Sequence, residues 1–123
     1  MARRLVSPRL ADMVEAMERI SIILNGVPLD AFEGNWEKRW LVERGIEVIS
    51  EASRHLPNDL KARHPNIPWR KVANIGNVLR HVYDRIAPDV LWALARNELI
   101  ELEAACRAEL TSALRDEADG QSE

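Results

Sequence analysis

At 123 residues and 14.0 kDa the chain has room for one domain with a modest core. Its formal net charge of −3 gives no global positive field to gather nucleic acid, so any such contact must come from a local patch. No apolar run approaches the roughly 20 residues that span a bilayer, the N-terminal MARRLVSPRL lacks the apolar core of a signal peptide, and the lone Cys106 excludes an intramolecular disulfide, which fits a cytoplasmic location.

A first helix is predicted from Ser7 to Asn25, with Ser7 as cap and Pro8 at the first helical position. Leu10, Met13, Val14, Met17, Ile20 and Leu24 recur at helical spacing and form its core stripe. Asn25-Gly26-Val27-Pro28 stops it. A second helix is predicted from Asp30 to Leu56, with its first turn open to a break at Gly34. Trp36, Trp40, Ile46, Ile49 and Ala52 mark its buried side, and Glu51 lies at the edge of that side. Glu51 is either a boundary carboxylate or a partner for a cation across the bundle, such as Arg80. His55 near the helix end suits the dipole when charged.

Residues 57–68, PNDLKARHPNIP, hold three prolines, which forbid a long helix and leave room for one short helical turn. His64 in this connector reads as exposed. A third helix enters through Pro68 and is broken at Ala87-Pro88. A fourth is predicted from Pro88 to Leu114, roughly 40 Å long, with Leu91, Leu94, Leu102, Cys106 and Leu110 inward. Cys106 reads as a small buried hydrophobe. The polar tail 116–123 is predicted to be disordered, leaving 1–115 as a single domain. No segment alternates with period two, and no CxxC, HExxH or phosphate loop is present. The predicted fold is all-α: an antiparallel up-and-down four-helix bundle with a short extra helical turn in the 57–68 connector. Neither a metal nor a cofactor is expected.

The third helix, WRKVANIGNVLRHVYDRI over Trp69–Ile86, carries two stripes when laid out at about 100° per residue. Val72, Ile75, Leu79, Val82 and Ile86 form an apolar one. Arg70, Asn74, Asn77 and His81 form a polar one, with Asp84 and Arg85 beside its lower end. Asn74, Asn77 and Gly76 are all poor helix formers, costing roughly 0.5 to 1 kcal/mol each relative to Ala. Something other than helix stability set this segment. Arg63, His64, Arg70, Lys71, Arg80 and Arg85 are close in sequence and could form a cationic patch.

The run PWRKVANIGNVLRHVYDRIAPDVLW, Pro68–Trp92, resembles the HepT-like branch of the HEPN superfamily. Asn77, His81 and Tyr83 match that family's Asn, His-x-Tyr pattern; Glu51-Ala52 resembles its earlier Glu-Ala pair; Trp69 and Trp92 match its tryptophans. The likeness spans roughly residues 8 to 112. The position of the family's catalytic Arg is Gly76 here, and Arg80 stands immediately before the histidine. The resemblance implies a small helical toxin: a metal-independent endoribonuclease acting on RNA as a homodimer. It implies a nucleotidyltransferase antitoxin that attaches AMP to Tyr83.

The residues suit that chemistry. Imidazole moves protons near neutral pH, so His81 fits the acid or base role. A guanidinium binds two phosphate oxygens and keeps its charge, so Arg80 or Arg85 fits a phosphorane. Asn77 can orient a phosphate or the histidine, with Arg70, Asn74 and Glu51 as supporting candidates. With no side chain at 76, the Arg80 guanidinium has a route back over the bare backbone. His81 also reads as an inert interface histidine, and Tyr83 as a boundary tyrosine about 160° from His81. Two rivals to the ribonuclease remain: a catalytically inactive helical protein that binds a nucleotidyltransferase, and a plain structural bundle.

Overall fold

A computed structural model describes residues 5–81 and 88–121, with side chains for 5–77 and 88–120. Every regular element among them is helical. In order they are α1 (Ser7–Leu24), α2 (Leu29–Glu33), α3 (Trp36–Ser53), α4 (Asn58–Ala62), α5 (Trp69–His81), α6 (Pro88–Ala93), a π-helical turn at Leu94–Glu98, and α7 (Leu99–Gln121). The fold is an all-helical bundle in which α1 packs on α3 and α7, and α3 packs on α5.

The stripe read for the first helix is the core: Leu10, Met13, Val14, Met17, Ile20 and Leu24 are all buried. Gly26 takes the left-handed conformation at φ 71° that lets the chain turn, a region costly for side-chain-bearing residues. Ser7 does not cap α1. It opens the helix, and its Oγ donates to Glu117 Oε2 at 2.7 Å, tying α1 to α7. That contact sits on helix, because α7 runs on to Gln121 rather than ending near Leu114.

The predicted second helix is two. Gly34 ends α2, and Asn35 caps α3 by accepting the Lys38 N–H at 3.0 Å. Ile46, Ile49 and Ala52 are buried as read. Trp36 and Trp40 are not: they are 54% and 66% exposed and stack edge to face at 5.1 Å. The buried stripe of α3 is Val42, Ile46, Ile49, Ser50 and Ser53. At helical spacing Trp36 and Trp40 lie about 95° and 135° from its centre. A large apolar side chain is not a core one by its size; its place in the helical period decides.

The connector does hold one helical turn, α4, whose Leu60 is buried with Ile67. His64 is not free in it. It is 24% exposed and meets Glu109 of α7 at 2.7 Å. The predicted fourth helix is interrupted by the π turn, which redirects Arg96. Arg96 lies 5.0 Å over the Trp92 ring and donates to Leu24 O and Val27 O, at the end of α1. Trp92 Nε1 donates to Val27 O as well. Cys106 is buried, and desolvation pushes its thiol up to about 12, so it stays protonated packing.

Candidate functional site

Two buried hydroxyls on the core stripe of α3 decide how α5 is held. Ser53 Oγ donates to Ser50 O at 2.7 Å within α3. Ser50 Oγ donates to Ala73 O at 2.8 Å and accepts from Gly76 N–H at 3.1 Å. Such close backbone approach needs a glycine. A Cβ at position 76 would lie 2.8 Å from Ser50 Oγ and 3.1 Å from Ser50 Cβ. The poor helix former Gly76 is thus explained by packing: it is buried against α3.

Arg54, just past the end of α3, reaches the same carbonyl. Its Nε and Nη2 donate to Ala73 O at 3.0 and 2.8 Å, and Nη1 donates to Glu51 Oε2 at 2.8 Å. Its Nη2 lies 3.7 Å from where a Cβ of residue 76 would be. The space over Gly76, read above as a path for Arg80, is taken by Ser50 and Arg54. Sequence reasoning missed both residues. The available signal was a polar pair, Ser50 and Ser53, on an otherwise apolar stripe, with a glycine on the helix that faces it.

An open groove runs along this junction. Its walls include Arg54, Trp69, Arg70, Lys71, Asn74 and Asn77, and no carboxylate is among the described residues that line it. Arg70, Asn74 and Asn77 are exposed on one side of α5, so three members of the predicted polar stripe do line one surface. Val72 and Ile75 pack against the core on the other side. Trp69 is half-buried, and its Nε1 donates to Lys61 O and His64 O at 3.0 and 3.1 Å, which fixes where α5 starts. The stripe leads along α5 toward His81, whose backbone closes the described helix. The side chains of Arg80 and His81, and Tyr83, Asp84 and Arg85 altogether, lie outside the described residues.

The other candidates fall elsewhere. Glu51 is exposed and meets Arg54 and His55 of its own helix end, at 2.8 and 3.3 Å. Arg63 and His64, expected in the cationic patch, turn to α7 instead. Arg63 donates to both oxygens of Glu109 at 3.1 and 2.8 Å. Among the described residues no group of His, Cys, Asp and Glu is placed to hold a metal ion, and no described helix is long and apolar enough to cross a membrane.

A family description, "HepT-like: Ribonuclease HepT-like", matches residues 13–109. The chain belongs to the HepT-like ribonuclease family. It is 34% identical over 93 residues to "Probable ribonuclease HepT" of Thermococcus cleftensis, covering 76% of this chain and 84% of that one. It is 30% identical over 99 residues to "Putative RNase MJ1380" of Methanocaldococcus jannaschii, covering 80% and 91%. A third relative, "Putative RNase TTE0752" of Caldanaerobacter subterraneus subsp. tengcongensis, is 25% identical over 96 residues, covering 78% and 86%. No solved structure matches the chain. As a HepT-like protein, the chain carries Asn77 on the wall of its groove and His81 one turn further along the same helix.

Proposed function

We propose that this HepT-like chain is the toxin of a toxin–antitoxin pair, a metal-independent endoribonuclease of the cytoplasm. The observation that carries the reading is the groove: cations and amides line it, and its α5 wall continues to His81. In this reading His81 moves the proton between the ribose 2′-OH and the leaving oxygen. Arg80 supplies charge to the phosphorane, and Asn77 orients phosphate. Tyr83 accepts AMP from a nucleotidyltransferase antitoxin, and the added negative charge competes with RNA for the cations. Two copies pair to form one cleft; the exposed, mutually stacked Trp36 and Trp40 of α3 favour such a partner surface.

The test is cleavage of single-stranded RNA by the purified chain in EDTA. His81→Ala should lower the rate about 10²- to 10⁴-fold without changing the fold. Intact-mass analysis after incubation with a cognate nucleotidyltransferase, ATP and Mg²⁺ should show one AMP on Tyr83. Light scattering should give twice the chain mass. One observation favours a second reading, a non-catalytic partner of the nucleotidyltransferase: position 76 holds no side chain and is sealed by Ser50. A chain that binds the nucleotidyltransferase but cleaves no RNA would establish it instead.

A further inference from the structure

We propose that Arg54 is a phosphate-binding residue of the RNA groove. The inference rests on the ribonuclease reading and deepens it, because it names a contact from α3 rather than from α5.

Three features of Arg54 separate it from an arginine that merely cross-links two helices. First, its main anchor is a neutral carbonyl. Two N–H groups converge on Ala73 O, and the one carboxylate it meets, Glu51, is shared with His55. That carboxylate meets it through one oxygen and is 55% exposed, so solvent screens the pair and the guanidinium is not tied up by it. Second, these bonds leave N–H groups on both terminal nitrogens for a ligand. The side chain is 33% exposed, and it lines the groove. Third, it is already immobilised. A fork held at fixed orientation loses little rotamer entropy on meeting a phosphate, so the contact costs less to form.

Its neighbours agree. Arg70 and Lys71 add charge to the same groove, and Asn74 and Asn77 add amides that can donate to phosphate oxygens. Gly76 lets α5 close on Ser50 of α3, and the Arg54 guanidinium lies beside that contact. From residue 76 to residue 81 the helix rises about 7.5 Å. Arg54 therefore holds the RNA backbone about one and a half turns of α5 from the position of His81, and positions it.

The experiment is salt-dependent binding of a short labelled single-stranded RNA to the full chain carrying His81→Ala, so that cleavage does not intrude. Adding Arg54→Ala should weaken binding about tenfold or more at low salt. It should also lower the slope of log affinity against log salt by about 0.7, the value of one phosphate contact on a single strand. Arg54→Gln, which keeps an N–H for Ala73 O but no charge, should behave like Ala in slope while holding the fold. Arg54→Lys should keep the slope and lose part of the affinity. Arg19→Ala, an exposed pair on α1, should change neither. An unchanged slope in folded Arg54→Ala and Arg54→Gln overturns the proposal and leaves Arg54 a cross-link, with the ribonuclease reading intact. Equal loss in Arg19→Ala overturns it too, because binding would then be diffuse. If the His81→Ala parent binds no RNA at any salt, the ribonuclease reading itself falls, and Arg54's role with it.

Discussion

Arg54 and Arg63 each reach a neighbouring helix through a pinned guanidinium, yet they end in opposite electrostatic states. Arg63 grips both oxygens of Glu109 and lies 3.5 Å from Asp59, and His64 closes on the same carboxylate. Glu109 is only 13% exposed, so that cluster is a neutralised clamp holding the connector to α7. Arg54 divides its donors between Ala73 O and one oxygen of Glu51, a carboxylate 55% exposed, and no carboxylate is among the described residues that line its groove. Two arginines close together in sequence look alike on paper. What each does depends on how tightly its carboxylate holds it: bidentate and shielded for Arg63, through one oxygen and well exposed for Arg54. A cation gripped at two points by a shielded carboxylate is spent on structure, whereas one that shares an exposed carboxylate and a carbonyl keeps donors for an anion.

The sharpest way to break this comparison is to fill the gap that the groove depends on. Gly76→Arg must place a Cβ where Ser50 Oγ and Ser50 Cβ already stand. Ser50 cannot swing aside without giving up its bond to Ala73 O. Overpacking and the lost hydrogen bond together should cost about 3 kcal/mol or more in urea unfolding. RNA cleavage should fall, not rise, since α5 and Arg54 move together. Gly76→Ala should show a smaller version, relieved in part by Ser50→Gly, which removes both crowded atoms. A Gly76→Arg protein of unchanged stability with gained activity would mean that position 76 faces the groove.

The stripes were legible and the contacts across them were not. Leu10, Met13, Ile46, Ile49, Leu91, Leu102 and Cys106 are buried where the helical period put them. Those positions follow from local spacing alone. The fate of Arg63 depends on Glu109, 46 residues away, and that of Arg54 on Ala73, 19 residues away. No periodicity within one helix reports such a pairing. The grouping of Arg63, His64, Arg70 and Lys71 by sequence proximity therefore split in two. Trp36 and Trp40 differ in the opposite way: their spacing lies off the core stripe of Val42, Ile46 and Ile49, and both are exposed. Gly76 had a packing reason that becomes visible only once α3 supplies Ser50.

A middle-sized effect should separate the two clusters by pH. Glu109→Ala removes the partner of Arg63 and His64 and should cost about 1 kcal/mol, solvent screening of the arginine keeping it modest. RNA affinity should hold, the reverse of Arg54→Ala. In the parent, the Arg63 hydrogen bond first, and that from His64 with it, keep the Glu109 carboxyl below its ordinary value of 4.5. A depressed pKa in the folded state means that this stabilisation is fully present above that value and disappears as pH falls through the folded pKa. Thermal unfolding followed downward from about pH 5 should therefore show an acid-labile component in the parent. Glu109→Gln should lack it. A Glu109→Gln protein with the parent's full pH dependence would assign the acid lability to other carboxylates.

The smallest effect tests the groove where the two kinds of cation meet in one residue. Lys71 lines the groove, and its Nζ lies 3.8 Å from Glu98 Oε1 with both side chains well exposed. An exposed pair of that length contributes little, so Lys71→Ala and Glu98→Ala should each shift stability by less than about 0.5 kcal/mol. Their effects on RNA should be opposite in sign. Lys71→Ala removes a cation from the wall and should weaken binding less than Arg54→Ala does, because a mobile ammonium must be ordered to meet phosphate. Glu98→Ala releases that ammonium and removes a nearby negative charge, so binding should tighten by up to about twofold at low salt and not at all at high salt. Titration of the same labelled RNA reads both. If the two variants move affinity in the same direction, Lys71 acts through its ion pair rather than through the groove, and the division between spent and available cations does not extend to it.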